Sequence, residues 1–308
     1  MGKSAMESNG EERQLRLGKG RVTLEVSNPR EMKRETKYKR GEVVSLQHSY
    51  PLRLLVPENA SASSCRWIYP LTFGGGLVGG DVIDIDYNIG EKCVALVTSQ
   101  ESTKVYHCKG HSAISQQNFN YNVSDDAFLA VLGDPVVCFA DARFKQTQKV
   151  HMSSRSSLVL LDWMTAGRMA LKELWKFDSY HSLIEVYVGD ELVFKDNQHL
   201  SDTPCHTLQH AMRGFQVLGT CVVLGKDVEH LIQHLKQLYS RPLTIGQQLR
   251  TDITCSFSPL EVETKETTLQ GCYVRFLAAS TCLGFSVVKE ITSALSDMLG
   301  GDPFANKY

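Results

Sequence analysis

Residues Phe73 to Gly90 read FGGGLVGGDVIDIDYNIG, and two incompatible folds depend on how these glycines are understood. Gly74, Gly76 and Gly79 match G-x-G-x-x-G, a loop that serves a dinucleotide only when a buried parallel strand enters it and a helix leaves it. Neither flank fits. Upstream, RWIYPLTF carries Pro70, which lacks the backbone donor a central strand needs. Downstream, Ile83, Ile85, Tyr87 and Ile89 alternate with Asp84, Asp86 and Asn88, the period of a half-buried strand. The full phosphate-loop pattern G-x-x-x-x-G-K-[ST] occurs nowhere in the chain. The glycines therefore read as a turn between strands. There Gly75, Gly76, Gly79 and Gly80 supply positive φ or let another backbone come close.

Strand signals continue on both sides of this turn. VTLEV, EVVSLQH, LRLLV, CVALVTSQ, FLAVLG, VVCF and SSLVLLDW are rich in β-branched and aromatic residues. In NFNYNV, Phe119, Tyr121 and Val123 alternate with Asn118, Asn120 and Asn122. SLIEVYV and ELVFKD are separated by Gly189-Asp190, where a tight hairpin turn is expected. Two segments in the C-terminal third have helical period instead. Asp227 to Arg241 places Val228, Leu231, Ile232, Leu235 and Leu238 on one face, with Asp227 as the expected N-cap. Ser286 to Leu299 does the same with Val287, Val288, Ile291, Leu295 and Met298, and Gly300 and Gly301 can end it. The expected fold is mainly β with two α-helices in the C-terminal third, and no repeat of fixed period is visible.

The 308 residues are 42% hydrophobic and 22% charged, with a net charge of −1, so no global field recruits nucleic acid or an anionic membrane. Residues 1–40 hold 11 Lys/Arg against 6 Glu; the reading is a disordered polar arm over residues 1–14 and then an edge strand. A single β-rich domain is expected over residues 15–308. No apolar run is long enough to span a bilayer, the N-terminus lacks a secretory core, and Met6 stands where myristoylation wants Ser or Thr. Nine cysteines without Cys-x-x-Cys suggest core thiols in a reducing cytoplasm, which makes the sequons at Asn59 and Asn122 incidental.

Chemistry is harder to find. His107-Cys108 with His111, Cys205-His206 with His210, and His230 with His234 resemble metal-ligand spacings, but Leu231 stands where a zincin needs its Glu. No Gly-x-Ser-x-Gly is present. Asp84 and Asp86 share one strand face with nothing in the sequence to separate their acidities. The residues by themselves favour a cytosolic interaction protein over an enzyme, with no catalytic residues and no tightly bound cofactor.

Four motifs in fixed order give the chain a resemblance: YPLTFGGGLVGGD, TSQESTKVYH (Thr98–His107), LGDPVVCFADARF (Leu132–Phe144) and DWMTAGRMALKELWKF (Asp162–Phe177). Together they resemble the UreD (UreH) family of urease accessory proteins, from about residue 15 to near the C-terminus. The resemblance implies stacked sheets with β-helix-like winding and a non-enzymatic scaffold. The implied partners are UreF, the GTPase UreG through UreF, and apo-urease, with nickel in transit to the urease active site. Asp81 and Glu173, inside the motifs, become candidates for polar groups lining a nickel passage; the alternative is that they hydrogen-bond backbone in turns. Thr103, Lys104, Tyr106, Arg143 and Arg168 match the motifs as structural residues beside the glycines. His107 replaces a common Arg, and Leu171-Lys172 a more usual Gly. A rival reading is a chaperone that stores nickel itself through Cys205, His206 and His210.

Overall fold

The computed structural model describes residues 16–26, 37–58, 63–107, 113–240, 252–264, 267–305 and 307. The expected arm over residues 1–14 lies outside them, as do Met6, Asn59, Cys108, His111 and Arg241.

One sheet contains, from edge to edge, Glu191–Leu200 (β14), Ser179–Val188 (β13), Arg143–Met152 (β11), Ser115–Val123 (β8), Val82–Ile89 (β5), Leu17–Glu25 (β1) and Glu42–His48 (β2). Its five inner strands are parallel and each edge strand is antiparallel to its neighbour. The second sheet contains Ile253–Glu263 (β16), Thr268–Ala278 (β17), Val217–Leu224 (β15), Ser157–Thr165 (β12), Phe128–Leu132 (β9), Val94–Val97 (β6), Arg66–Thr72 (β4) and Leu52–Leu55 (β3). Val136–Cys138 (β10) pairs with β12 and with Thr103–Val105 (β7).

From β4 onward the chain passes back and forth between the sheets and winds around a common interior. Successive turns lie side by side: Val82 beside Gln116, Gln116 beside Lys145, and Lys145 beside His181, steps of 34, 29 and 36 residues. The unequal steps explain why the sequence shows no period: strands keep register while the loops between them vary.

Apolar side chains fill two layers. Between the sheets, Ile83, Ile85, Tyr87 and Ile89 meet Leu129, Leu158 and Leu160. On the outer face of the second sheet, helices Glu229–Tyr239 and Thr281–Thr292 place Leu231, Leu235, Phe285, Val288 and Ile291 against Trp163, Val223 and Phe276. Trp163 meets Phe285 edge to face at 4.8 Å. Because β12 is covered on both faces, its run of apolar residues has no alternation.

Three local expectations change. Asp227 does not cap its helix: its carboxylate takes Lys37 and Tyr38, and a 3-10 turn, Lys226–Val228, leads into the helix at Glu229. The last long helix begins at Thr281, five residues before Ser286, because Ser280 accepts the Leu283 N–H at 3.3 Å and caps it. It breaks after Thr292 into a 3-10 turn and resumes over Ser296–Leu299, where Gly300 (φ 72°) ends it as expected. Pro70 does belong to a strand. β6 pairs only with Arg66 to Ile68, so the missing donor at Pro70 breaks no ladder there. The Gly189-Asp190 hairpin forms as expected, with Gly189 at φ 59°.

Candidate functional site

The glycine turn is built against β7. Gly74, Gly75 and Gly80 have φ of 91°, 71° and 90°, a region where a side chain is strained. Gly76 is required by space: a Cβ there would stand 2.4 Å from the Lys104 carbonyl and 2.8 Å from the Tyr106 ring. Leu77 donates to that same carbonyl at 2.8 Å, Tyr106 N–H returns to the Leu77 carbonyl at 2.9 Å, and the Tyr106 hydroxyl donates to Gly74 at 3.3 Å. Gly79 lies in the turn with Gly80. Thr103 and Lys104 belong to β7, and Thr103 N–H donates to the Pro135 carbonyl at 3.1 Å. No helix starts on these glycines; β5 follows.

Asp81 closes the turn. Its side chain is 4% exposed, accepts the Val78 N–H at 2.9 Å, and is clamped by both ends of the Arg16 guanidinium, one of them at 2.7 Å. Glu173 is held in the same manner by Arg168, with Nε at 2.7 Å, and accepts the Ala140 N–H at 3.3 Å. The Arg168 hydrogen bonds hold the Glu173 carboxyl below its ordinary range. Arg168 in turn lies over the Phe139 ring at 4.1 Å. Each carboxylate thus makes the backbone hydrogen bond of the turn-bracing alternative, and each has an arginine partner. Neither lines the cavity or the cleft described next. Arg143 pairs with Asp178 at 3.0 Å near the start of β11.

The interior between the sheets is not wholly apolar. Along the winding, Gln117, Gln146, Ser182 and Gln198 are register neighbours on β8, β11, β13 and β14. Gln117, Gln146 and Ser182 are buried. From the opposite sheet, buried Asp162 on β12 reaches them: Gln146 Nε2 donates to Oδ1 at 2.9 Å and Ser182 Oγ to Oδ2 at 2.5 Å. Burial pushes the Asp162 carboxyl up, and these two hydrogen bonds only partly offset it. Asp196, near the far end of this column, takes Tyr273 at 2.8 Å and Arg275 at 2.6 Å. A cavity of about 110 Å³ lies along the column, bordered by Gln117, Gln146, Gln148, Asp162, Thr98 and Asp134. Its volume and polar lining have room for several waters. Asp134 also borders an outer cleft of about 600 Å³, together with Glu101, Ser102, Lys104 and Lys307.

The column escaped sequence reasoning, although a signal existed. In RFKQTQKVHM, Phe144, Val150 and Met152 fix the inward face, and period two then places Gln146 and Gln148 inside with them. Asp162 is likewise the lone charge in a continuous apolar run.

The histidine spacings do not converge. Among the described residues no group of three His, Cys, Asp or Glu is arranged to hold a metal. Cys205, His206 and His210 are exposed, with the two rings parallel at 6.0 Å. The described cysteines are free thiols, and most are buried as core residues; burial pushes Cys65 and Cys272 up to about 12. No helix of the described residues is long and apolar enough to cross a membrane.

Comparison with known proteins places the sequence of this chain in a family. A family model described as UreD urease accessory protein matches residues 20–307. Urease accessory protein D of Arabidopsis thaliana is 32% identical over 287 residues, covering 86% of this chain and 96% of that protein. Urease accessory protein UreD of Sorangium cellulosum (strain So ce56) is 35% identical over 259 residues, covering 84% and 77% respectively. With the family model spanning nearly the whole wound domain, the chain belongs to the UreD family of urease accessory proteins.

Proposed function

We propose that this protein is a non-catalytic scaffold of urease maturation that binds UreF, recruits the GTPase UreG through it, docks on apo-urease and guides nickel toward the urease active site. The observation that carries the reading is the polar column inside an otherwise apolar winding. Buried amides and a buried carboxylate would be replaced by apolar side chains if packing were their only task, since each must be satisfied at some expense in stability.

Nickel is borderline in softness and suits imidazole, carboxylate and water, while amide and hydroxyl oxygens hold it only weakly. Gln117, Gln146, Asp162 and Ser182 offer such oxygens in succession, and none forms a complete coordination shell. Weak contacts in series suit an ion that has to leave again. Asp81 and Glu173 border neither the cavity nor the cleft, and they enter this reading only as carboxylates that hold their arginines until an ion or a partner competes for them. The exposed Cys205, His206 and His210 give little support to a storage role.

The test is reconstituted urease activation with UreF, UreG, GTP and nickel, using Asp162→Leu and Asp162→Asn. Asp162→Leu should activate urease poorly while the complex still assembles on size exclusion, and Asp162→Asn should retain more activity. Normal activation by Asp162→Leu would sink the route. Loss of activation only where assembly is also lost would reduce the column to a structural element.

A further inference from the structure

Asp134 follows β9 and stands in the wall shared by the inner cavity and the outer cleft. Its side chain is 3% exposed. Oδ2 accepts the Lys307 ammonium at 2.7 Å, and the same ammonium donates to the Ser99 carbonyl at 3.0 Å. Oδ1 is buried and, among the described residues, has no hydrogen-bond partner. A buried carboxylate oxygen without a donor is unusual, because nearly every buried polar atom finds one.

The surroundings are fixed in advance. The Asp134 N–H donates to Ser99 Oγ at 2.7 Å, Thr98 Oγ1 donates to the Leu132 carbonyl at 2.7 Å, and Trp163 Nε1 donates to the Gly133 carbonyl at 2.9 Å. These bonds hold the two chain segments in place whether or not the ammonium is present. Lys307 belongs to no strand and reaches in on a flexible stem beside the Phe304 ring. The cradle of Asp134 and the Ser99 carbonyl already holds one cation, an ammonium, and has one carboxylate oxygen to spare.

We propose that Asp134 and the Ser99 carbonyl form an exchangeable site for a hydrated divalent cation, which Lys307 keeps closed until the ion displaces its ammonium. The donor set is oxygen only, which suits hard or borderline divalent ions that retain water. One carboxylate against two charges makes a weak site. The swing of Lys307 back onto Asp134 supplies the push that frees the ion. This inference rests on the conduit reading for its purpose, and it adds a gate at the mouth where cleft and cavity meet.

The experiment compares the full chain as wild type, Lys307→Met and Lys307→Met/Asp134→Asn. Ni²⁺ binding is followed by equilibrium dialysis, and melting temperature is followed with and without millimolar Ni²⁺. Lys307→Met should bind one further Ni²⁺ at least about 10-fold more tightly than wild type, and the double variant should lose that gain. Added Ni²⁺ should raise the melting temperature of Lys307→Met and leave that of the double variant unchanged. Lys307→Gln, which keeps a donor for Asp134, is held to the same outcomes if Lys307→Met does not fold. No gain of binding in the Lys307 variant, or a gain that survives Asp134→Asn, overturns the gate. Failure of the two ideas is separable: a gain at Lys307 with normal activation by Asp162→Leu keeps the cation site and removes the conduit. Poor activation by Asp162→Leu with no gain at Lys307 does the reverse.

Discussion

Asn118 donates to the carboxylate of Asp84 at 2.8 Å from one turn of the winding to the next. Asn120 meets Asp86 at 3.0 Å and Asn122 meets Asn88 at 2.8 Å in the same register, so the outer face of β5 and β8 carries a ladder of amides. The paired aspartates of VIDIDYNI are therefore strand-to-strand ties, and Asn118 and Asn120 of NFNYNV meet them. Replacing Asn118 by Ala should destabilise the chain by about 1 kcal/mol, and Asn118→Asp by more, because two carboxylates would then face each other. Urea unfolding of the two variants, compared with wild type, checks the order; equal stability of Asn118→Asp and Asn118→Ala would show the ladder to be slack.

The glycine turn separates two kinds of constraint. Gly76→Ala places its Cβ against backbone at β7 and should destabilise by more than ~1 kcal/mol. At Gly74 a Cβ meets nothing within 4 Å, so Gly74→Ala bears only the positive-φ penalty, about 1–2 kcal/mol, without the added clash with backbone at Gly76. Thermal melts of both rank them. Nucleotide binding that vanished in Gly76→Ala would contradict the reading of the turn as shape.

Asp162 gives a pH signature. Burial raises its carboxyl above the unfolded value, so the folded chain holds that proton more strongly than the unfolded chain does. Its contribution is most favourable below the ordinary carboxylate pKa of about 3.9 and is lost as pH rises through the higher folded value. Asp162→Asn removes the titration. Relative to wild type, the variant should gain stability on going from pH 4 to pH 8. Urea midpoints at the two pH values test this, and a wild-type-like pH dependence in Asp162→Asn would assign the titration elsewhere.

Thiol reactivity should divide by burial. Cys205 and Cys282 are exposed, whereas Cys65, Cys93, Cys221 and Cys272 are buried with their thiols pushed upward. Iodoacetamide at neutral pH, followed by peptide mass spectrometry, should label the first pair within minutes and the buried four only after denaturation. Rapid labelling of Cys221 in the native chain would mean that the helix layer over β15 opens readily.

Much of the architecture was decided locally and could be read in order along the chain. Period two in VIDIDYNI and NFNYNV, the hairpin at Gly189-Asp190 and the apolar stripes of the two long helices depend on neighbours two to four residues apart. The four motifs likewise carried the family. What the sequence could not state is which strands become neighbours across steps of 34, 29 and 36 residues, since no local signal encodes a register between turns of unequal length. Asp227 looked like a cap until Lys37 and Tyr38 arrived from the far end of the chain. Asp162 looked like one stray charge in a β run until Gln146 and Ser182 met it from the opposite sheet. Asp134 shows the same dependence, for its partner Lys307 is remote in sequence and the cavity behind it exists only once the sheets are stacked. Periodicity and turn chemistry act within one element, whereas burial of a charge, and the partner that makes it tolerable, are properties of the assembled interior.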